Sequence, residues 1–344
     1  RPPTERQGSY AGIRFRLQIH DRKRVRCRAY ENVSRTYKGK LMSKKKPFTN
    51  QHIVPVSYLR RFATKGNSAY RIGVICADKH FIDSIDNVGY IKHYYDIEGE
   101  DSKKWEHYYG KEIEPLYGKP LDGIIAGVTL SPNKQVILDE KKKKLLSKLL
   151  ISQWLRVPDF LDVKIRQLPS MLNQIKKDFL VQNKGKISRE IEHKIKAFGY
   201  PFSKRKDLIL SIINREDKLS MYVDVLSSKL WIMYYNPYYT KVPFITSDNP
   251  VVAINMVSKS IHREDNGINN NRTAIFFPLS PSIAVAIYST PIKNIIPEID
   301  GEKRVLSEID YQLVSTINTK IAEQSYKEVF LPLKYYEDLF KEYP

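Results

Sequence analysis

Cysteine is scarce in this chain of 344 residues: there are only Cys27 and Cys76, and they form no Cys-x-x-Cys pair. That excludes a cystine-stapled scaffold and a cysteine-built zinc site, and it fits a reducing, cytoplasmic setting. No apolar run reaches the ~18 residues of a transmembrane helix. The first residues show no apolar core of the signal-peptide kind, so no membrane partner is expected. Also missing are a Walker lysine loop, a Gly-x-Gly-x-x-Gly after a strand and a Gly-x-Ser-x-Gly elbow. Nucleotide-triphosphatase, Rossmann and α/β-hydrolase chemistry are disfavoured accordingly. Acidic residues are the last shortage. Against 58 Lys+Arg there are 38 Asp+Glu, a net charge of +20.

A field of that size favours polyanions, nucleic acid first. The charge is uneven. Residues 1–41 hold 12 basic and 3 acidic residues, a net of +9, which leaves +11 for the rest. Those 41 residues show no sustained hydrophobic period, and Met42-Ser43-Lys44-Lys45-Lys46-Pro47 reads as an ordinary protein start. Residues 1–41 are therefore expected to be a basic extension upstream of a native start at Met42. The other readings are a nucleic-acid-binding arm around Arg22-Lys23-Arg24-Val25-Arg26 and a transit peptide.

The remainder, 42–344, predicts one α+β domain, with antiparallel β regions at both ends and a helical central region. Tyr70–Cys76 and His80–Ile85 read as a β-hairpin turning at Ala77-Asp78-Lys79. Val88–Ile97 reads as extended chain, and Asp101-Ser102 as the cap of a helix over 103–117. Leu145, Leu146, Leu149, Leu150 and Trp154 recur at helical spacing in a helix that Pro158 closes. A second helix spans about 159–182, and the helical insertion covers about 139–226. Five strands follow as an antiparallel meander: Leu230–Tyr235, Phe244–Thr246, Val251–Met256, Thr273–Phe277 and Ile283–Tyr288. A helix over 306–325 comes last.

Four short motifs punctuate this order. They are His52-x-x-Pro55-x-x-Tyr58-Leu59-Arg60-x-Phe62, Gln153-x-x-Arg156-x-Pro158, Thr246-Ser247-Asp248-Asn249-Pro250-Val251 and Phe277-Pro278-Leu279-Ser280-Pro281. In this the chain resembles a mostly bacterial family classed as a domain of unknown function. The resemblance covers about 44–330 and leaves 1–41 outside. It implies boundaries rather than an activity.

His52 leads the candidate chemistry. Gln51-His52-Ile53-Val54-Pro55 is similar to the Asp-His-Ile-Val-Pro strand on which His-Asn-His nucleases place their catalytic base. The metal-binding residue before the histidine is replaced by Gln51, which brings no charge to a hard cation. The structural alternative is a buried, hydrogen-bonded His52. Gln153 and Arg156 lie three apart on one helix face. A guanidinium there needs a partner, either a phosphate or an internal carboxylate such as Asp248. Asp248 and Asn249 end a strand, where they could cap a turn, bind a metal or orient His52. Glu106, Glu112 and Glu114 read as a solvated helix face, with Glu106 a possible ligand. Lys141–Lys144 reads as a solvated helix start. Tyr234, Tyr235, Tyr238 and Tyr239 read as base-stacking or core residues.

The expectation is a nucleic-acid-processing hydrolase, in the metal-dependent nuclease mould, for which a defence or toxin-like role would suit. His52 and Asp248 would be catalytic, with Asp248 binding Mg²⁺ or Mn²⁺. Gln153, Arg156 and Asn249 would hold the substrate. The competing readings are a non-catalytic binding module and an enzyme on a small anionic substrate.

Overall fold

The computed structural model describes residues 49–341 except 78, 100, 263 and 264. The basic extension, Met42 and the turn residue Asp78 lie outside the described residues. The fold is α+β, with antiparallel sheets around a helical centre.

A short strand β1 (Asn50–His52) pairs antiparallel with β5 (Tyr90–Lys92), His52 opposite Tyr90. Between them run the helical turn α1 (Val56–Leu59), β2 (Thr64–Lys65), β3 (Tyr70–Cys76) and β4 (Lys79–Ser84). β3 and β4 form the expected hairpin, with Cys76 facing Lys79. Val88–Ile97 is extended only over β5.

The chain is helical from Lys104, close to the expected start of the helix over 103–117. Lys104–Tyr108 is α-helical (α2), Tyr109–Ile113 is π-helical and Glu114–Tyr117 is a 3-10 turn. Lys103 holds the cap position, with no side-chain bond, in place of the expected Asp101-Ser102. The reason for the π segment is legible in the residues. Trp105, Tyr109, Ile113 and Tyr117 are all buried at intervals of four. An α-helix of 3.6 residues per turn would rotate them progressively off one face, whereas the wider π turn keeps them on it.

α3 (Lys119–Leu130) follows, then α4 (Glu140–Arg156), whose N-cap Asp139 accepts from the Lys142 amide at 2.8 Å. The lysine run at its start is not uniformly solvated. Lys143 is buried and pairs with Asp300 at 2.6 Å. Pro158 holds Val157 extended, so α4 stops at Arg156 and α5 (Pro158–Gln182) begins with its proline in the first turn. α6 (Arg189–Ala197), α7 (Phe202–Ile213) and α8 (Glu216–Ser227) complete the helical centre.

The second half makes a five-stranded sheet, ordered β11-β6-β10-β9-β8, from β6 (Leu230–Tyr235), β8 (Val252–Asn255), β9 (Thr273–Ser280), β10 (Ile283–Tyr288) and β11 (Glu302–Val305). β8, β9 and β10 run as a meander. β6 joins β10 rather than β8, and β11 lies parallel to β6. Tyr234 and Tyr235 lie on β6, and the Tyr234 hydroxyl meets that of Tyr288 at 2.9 Å.

The two-residue strand β7 (Thr246–Ser247) leaves this sheet altogether. It pairs with β12 (Glu328–Leu331), which follows the helix α10 (Tyr311–Gln324) and precedes α11 (Leu333–Lys341). β12 also pairs with β3, so one sheet joins the first and last β regions. A core cluster runs from Ile53 through the helical centre to Phe330.

Candidate functional site

The four motifs interlock. Tyr58 is fully buried and stacks on Phe277 with ring centres 5.3 Å apart. Its hydroxyl lies 2.7 Å from the Pro278 carbonyl and 2.8 Å from Thr246 Oγ1. The phenol has one proton, and the carbonyl can only accept. Tyr58 therefore donates to Pro278 and accepts from Thr246. One hydroxyl joins the first, third and fourth motifs.

The second motif grips the first through its backbone. Gln153 Nε2 and Arg156 Nε each donate to the Ile53 carbonyl at 2.9 Å. Arg156 Nη2 donates to the His52 carbonyl at 3.1 Å. The guanidinium lies over the Tyr109 ring, 5.0 Å from its centre. The carboxylate it meets is that of Glu114, at 3.8 Å, in the place foreseen for Asp248. Arg156 is completely buried. It is an anchor for the histidine strand, and the phosphate clamp expected of it is not what its donors form.

Gln51 has a similar duty. Its Nε2 donates to Asp96 and its Oε1 accepts from the Tyr95 amide, each at 2.5 Å. Asp248 anchors the start of β12. Its carboxylate accepts from the amides of Tyr326, Lys327 and Glu328 at 2.8, 2.6 and 2.8 Å. Three backbone donors hold it as a loop anchor, away from the expected service to His52 or a metal. Glu328 extends the chain of contacts, since its Oε2 accepts from the Gly89 amide at 2.8 Å. Gly89 adopts φ +67°, and its carbonyl accepts from Ile53 at 2.9 Å.

Asn249 sends its amide to Asp159 Oδ2 at 3.2 Å and to the Gln324 carbonyl at 3.1 Å. Gln324 returns its own amide to the carbonyls of Asn249 and Val251 at 2.7 and 2.6 Å. Asp159, Asn249 and Gln324 sit at one end of a cleft of about 690 Å³.

Four of the five candidates keep one buried side-chain atom without a hydrogen-bond partner among the described residues: Gln153 Oε1, Arg156 Nη1, Asn249 Oδ1 and, on an imidazole that also hydrogen-bonds the Asp86 backbone, His52 Nε2. The His52 ring meets Tyr90 edge-on. Burial lowers its pKa. Glu114 and Asp86 oppose that effect, while Arg156 reinforces it. The Glu114 charge that acts on His52 acts also on Glu106, and the sequence reading placed both carboxyls on a solvated face. Glu106 and Glu114 each follow a buried residue, Trp105 and Ile113, and the helical segment brings both to the edge of the cluster. Burial, then Glu114, push the Glu106 carboxyl up to about 7, against Arg156 and Lys103. Glu112 is exposed, as expected. The signal for Glu106 and Glu114 was the four-residue spacing of Trp105, Tyr109, Ile113 and Tyr117. That spacing marks a buried face, which Glu106 and Glu114 border.

No group of three or more His, Cys, Asp or Glu side chains among the described residues is arranged to hold a metal ion. No helix among them is long and apolar enough to cross a membrane.

Residues 50–331 match the family described as Protein of unknown function (DUF4238). The chain belongs to this family. The matched span begins at β1 and ends at the last residue of β12, so the DUF4238 unit includes both strands that close the fold. The chain matches no curated protein and no solved structure.

Glu106 makes stability pH-dependent. A carboxyl whose pKa rises on folding, from 4.5 to about 7, binds its proton more tightly in the folded state. Its contribution is therefore fully present below about pH 4.5 and is lost as pH rises through 7. Solvent around this partly exposed group limits the effect to about 1–2 kcal/mol. Glu106→Gln is expected to raise the melting temperature by about 2–6 °C at pH 8 and to leave it unchanged at pH 4.5. A pH series of thermal melts checks this, and equal shifts at both pH values would contradict it.

Proposed function

We propose that this chain is a nucleic-acid-processing hydrolase whose acid–base groups are His52 and Glu106, with Glu114 as the charge that tunes both. The observation that carries this reading is a carboxyl whose pKa is pushed up to about 7 under the charge of the same Glu114 that acts on His52, whose buried Nε2 has no partner among the described residues. Pairs of titratable groups pushed apart by their surroundings are what acid–base catalysis at pH 7 requires. His52 would take the proton from an attacking water. Glu106, still protonated, would give one to the leaving oxygen of a phosphodiester. Arg156 would act from behind, as the positive charge 3.8 Å from Glu114.

The nucleic-acid part rests on the helical arm. Residues 169–206 hold ten Lys or Arg against three Asp or Glu, a net of +7. Beyond Leu168 α5 buries no residue, and α6 buries none. Phe179, Phe198 and Phe202 are exposed among the lysines, and Arg205 lies 5.2 Å over the Phe202 ring. Charge to follow a phosphate backbone and rings to stack bases suit a single strand.

The test is cleavage of labelled single- and double-stranded RNA and DNA, with Mg²⁺, with Mn²⁺ and with chelator. His52→Ala and Glu106→Gln are each expected to slow cleavage by about 10²–10⁴-fold while the protein remains folded. The rate is expected to fall as pH rises above 7, where Glu106 loses its proton. A second reading, a non-catalytic nucleic-acid-binding module, is favoured by the complete burial of Arg156 and Asp248. Salt-sensitive binding without cleavage of any substrate would select it. Absence of both binding and cleavage would end both readings.

A further inference from the structure

We propose that the cleft beside Asn249 is a binding site for a nucleobase, carried by a free nucleotide or presented by a strand. It lies on residues distinct from the acid–base edge, so it can be right where the hydrolase reading fails.

The cleft measures about 690 Å³, within the range of small-molecule sites. Its walls carry the aromatic side chains Trp154, Phe160 and Tyr222. They come from α4, α5 and α8, elements held by the core, so the walls are set before a ligand arrives. Rings on several walls suit a flat aromatic guest, to which each can offer a face or an edge.

The polar end supplies direction. Asn249 is 2 % exposed, and its two amide protons go to Asp159 and to the Gln324 carbonyl. Both of those partners are acceptors, so exchanging the amide oxygen and nitrogen would set oxygen against oxygen twice. The assignment is therefore fixed, and Asn249 Oδ1 is the atom left over. It is buried, with no hydrogen-bond partner among the described residues. A desolvated acceptor without a donor costs the fold about 1–3 kcal/mol, and a native structure keeps few of them. The exocyclic amine or ring N–H of a base is a donor of the right kind. Gln324 holds the Asn249 and Val251 carbonyls with one amide, so this end is rigid. Lys164, on the same stretch of α5 as Phe160, stands on the wall with its charge available to a phosphate.

The full chain is titrated with AMP, GMP, CMP and UMP, with ribose 5-phosphate as the base-free control, and with a short oligonucleotide. Tryptophan fluorescence and thermal melting are recorded together. At least one mononucleotide or the oligonucleotide is expected to bind saturably and raise the melting temperature, while ribose 5-phosphate does neither. Tyr222→Ala, at a partly exposed position, is expected to weaken binding about tenfold or more. Trp154→Phe is expected to remove the fluorescence change but keep the thermal shift. Response to mononucleotides marks a free nucleotide as the source, and response to the oligonucleotide alone marks a base within a strand. The proposal is overturned if no nucleotide binds saturably, if ribose 5-phosphate binds equally well, or if Tyr222→Ala binds with unchanged affinity. Loss of cleavage in His52→Ala with nucleotide binding intact would separate this site from the acid–base edge.

Discussion

Asp248→Ala is expected to destabilise the protein by about 3–5 kcal/mol, enough to lower its melting temperature by roughly 10 °C or more. The carboxylate accepts three backbone amides from consecutive residues, Tyr326, Lys327 and Glu328. Hydrogen bonds to a charged acceptor are stronger than neutral ones, and here the half-buried Tyr326 and Glu328 and the exposed Lys327 would lose an acceptor that is itself buried. Alanine removes one side chain and leaves three amides without it. The damage then spreads, because those amides fix the start of β12, which pairs with both β3 and β7. Urea denaturation of the wild type and the variant measures the effect. A residue that served only as a metal ligand would give a different result: stability near wild type, or higher, with activity lost. A loss under about 1 kcal/mol would therefore return Asp248 to the catalytic role expected from the sequence.

Arg156→Ala is expected to cost a similar ~3–5 kcal/mol, for a different reason. The guanidinium fills a fully buried space against Tyr109 and holds the carbonyls of His52 and Ile53 together. Alanine leaves a void, removes one donor from the Ile53 carbonyl and leaves the His52 carbonyl without it. Arg156→Lys is expected to recover less than half of the loss, because an ammonium cannot reproduce the two-point hold of a planar fork. An arginine that gripped only substrate phosphate would lose binding or rate in both variants while the denaturation midpoint stayed in place. Denaturation and cleavage measured on the same preparations distinguish the two.

These two residues show where sequence reasoning reached and where it stopped. The elements with strong local signals were legible. The β3–β4 hairpin follows from its alternation and turn, and the boundary at Arg156 follows from Pro158, which forbids continuation of α4. The motif residues were also correctly singled out as unusual. Polar side chains among apolar ones need partners, but the partners here are backbone groups distant in sequence. Residue type and spacing do not reveal a backbone acceptor, so Arg156 and Asp248 carried the same signature as a substrate clamp and a metal ligand. Glu106 illustrates the reverse failure. It was read as part of a solvated face, but it follows the buried Trp105 and is itself half-buried. The placement of β6 beside β10, and of β7 in the other sheet, was equally out of reach. Strand patterns state which face is buried and leave the order of strands open.

The bond between the Gly89 amide and the Glu328 carboxylate spans 239 positions of chain. At about 5–20 residues per second of synthesis, roughly 10–50 s separate the appearance of the two groups at the ribosome. Through that interval β3 has β2 and β4 beside it but lacks β12, and for most of it Ile53, Tyr58 and Phe62 lack the strand that carries Phe277. The N-terminal third is thus made as an unfinished sheet with an open edge. Such an edge favours pairing with other chains, and that exposure ends only when nearly the whole family domain has been synthesised.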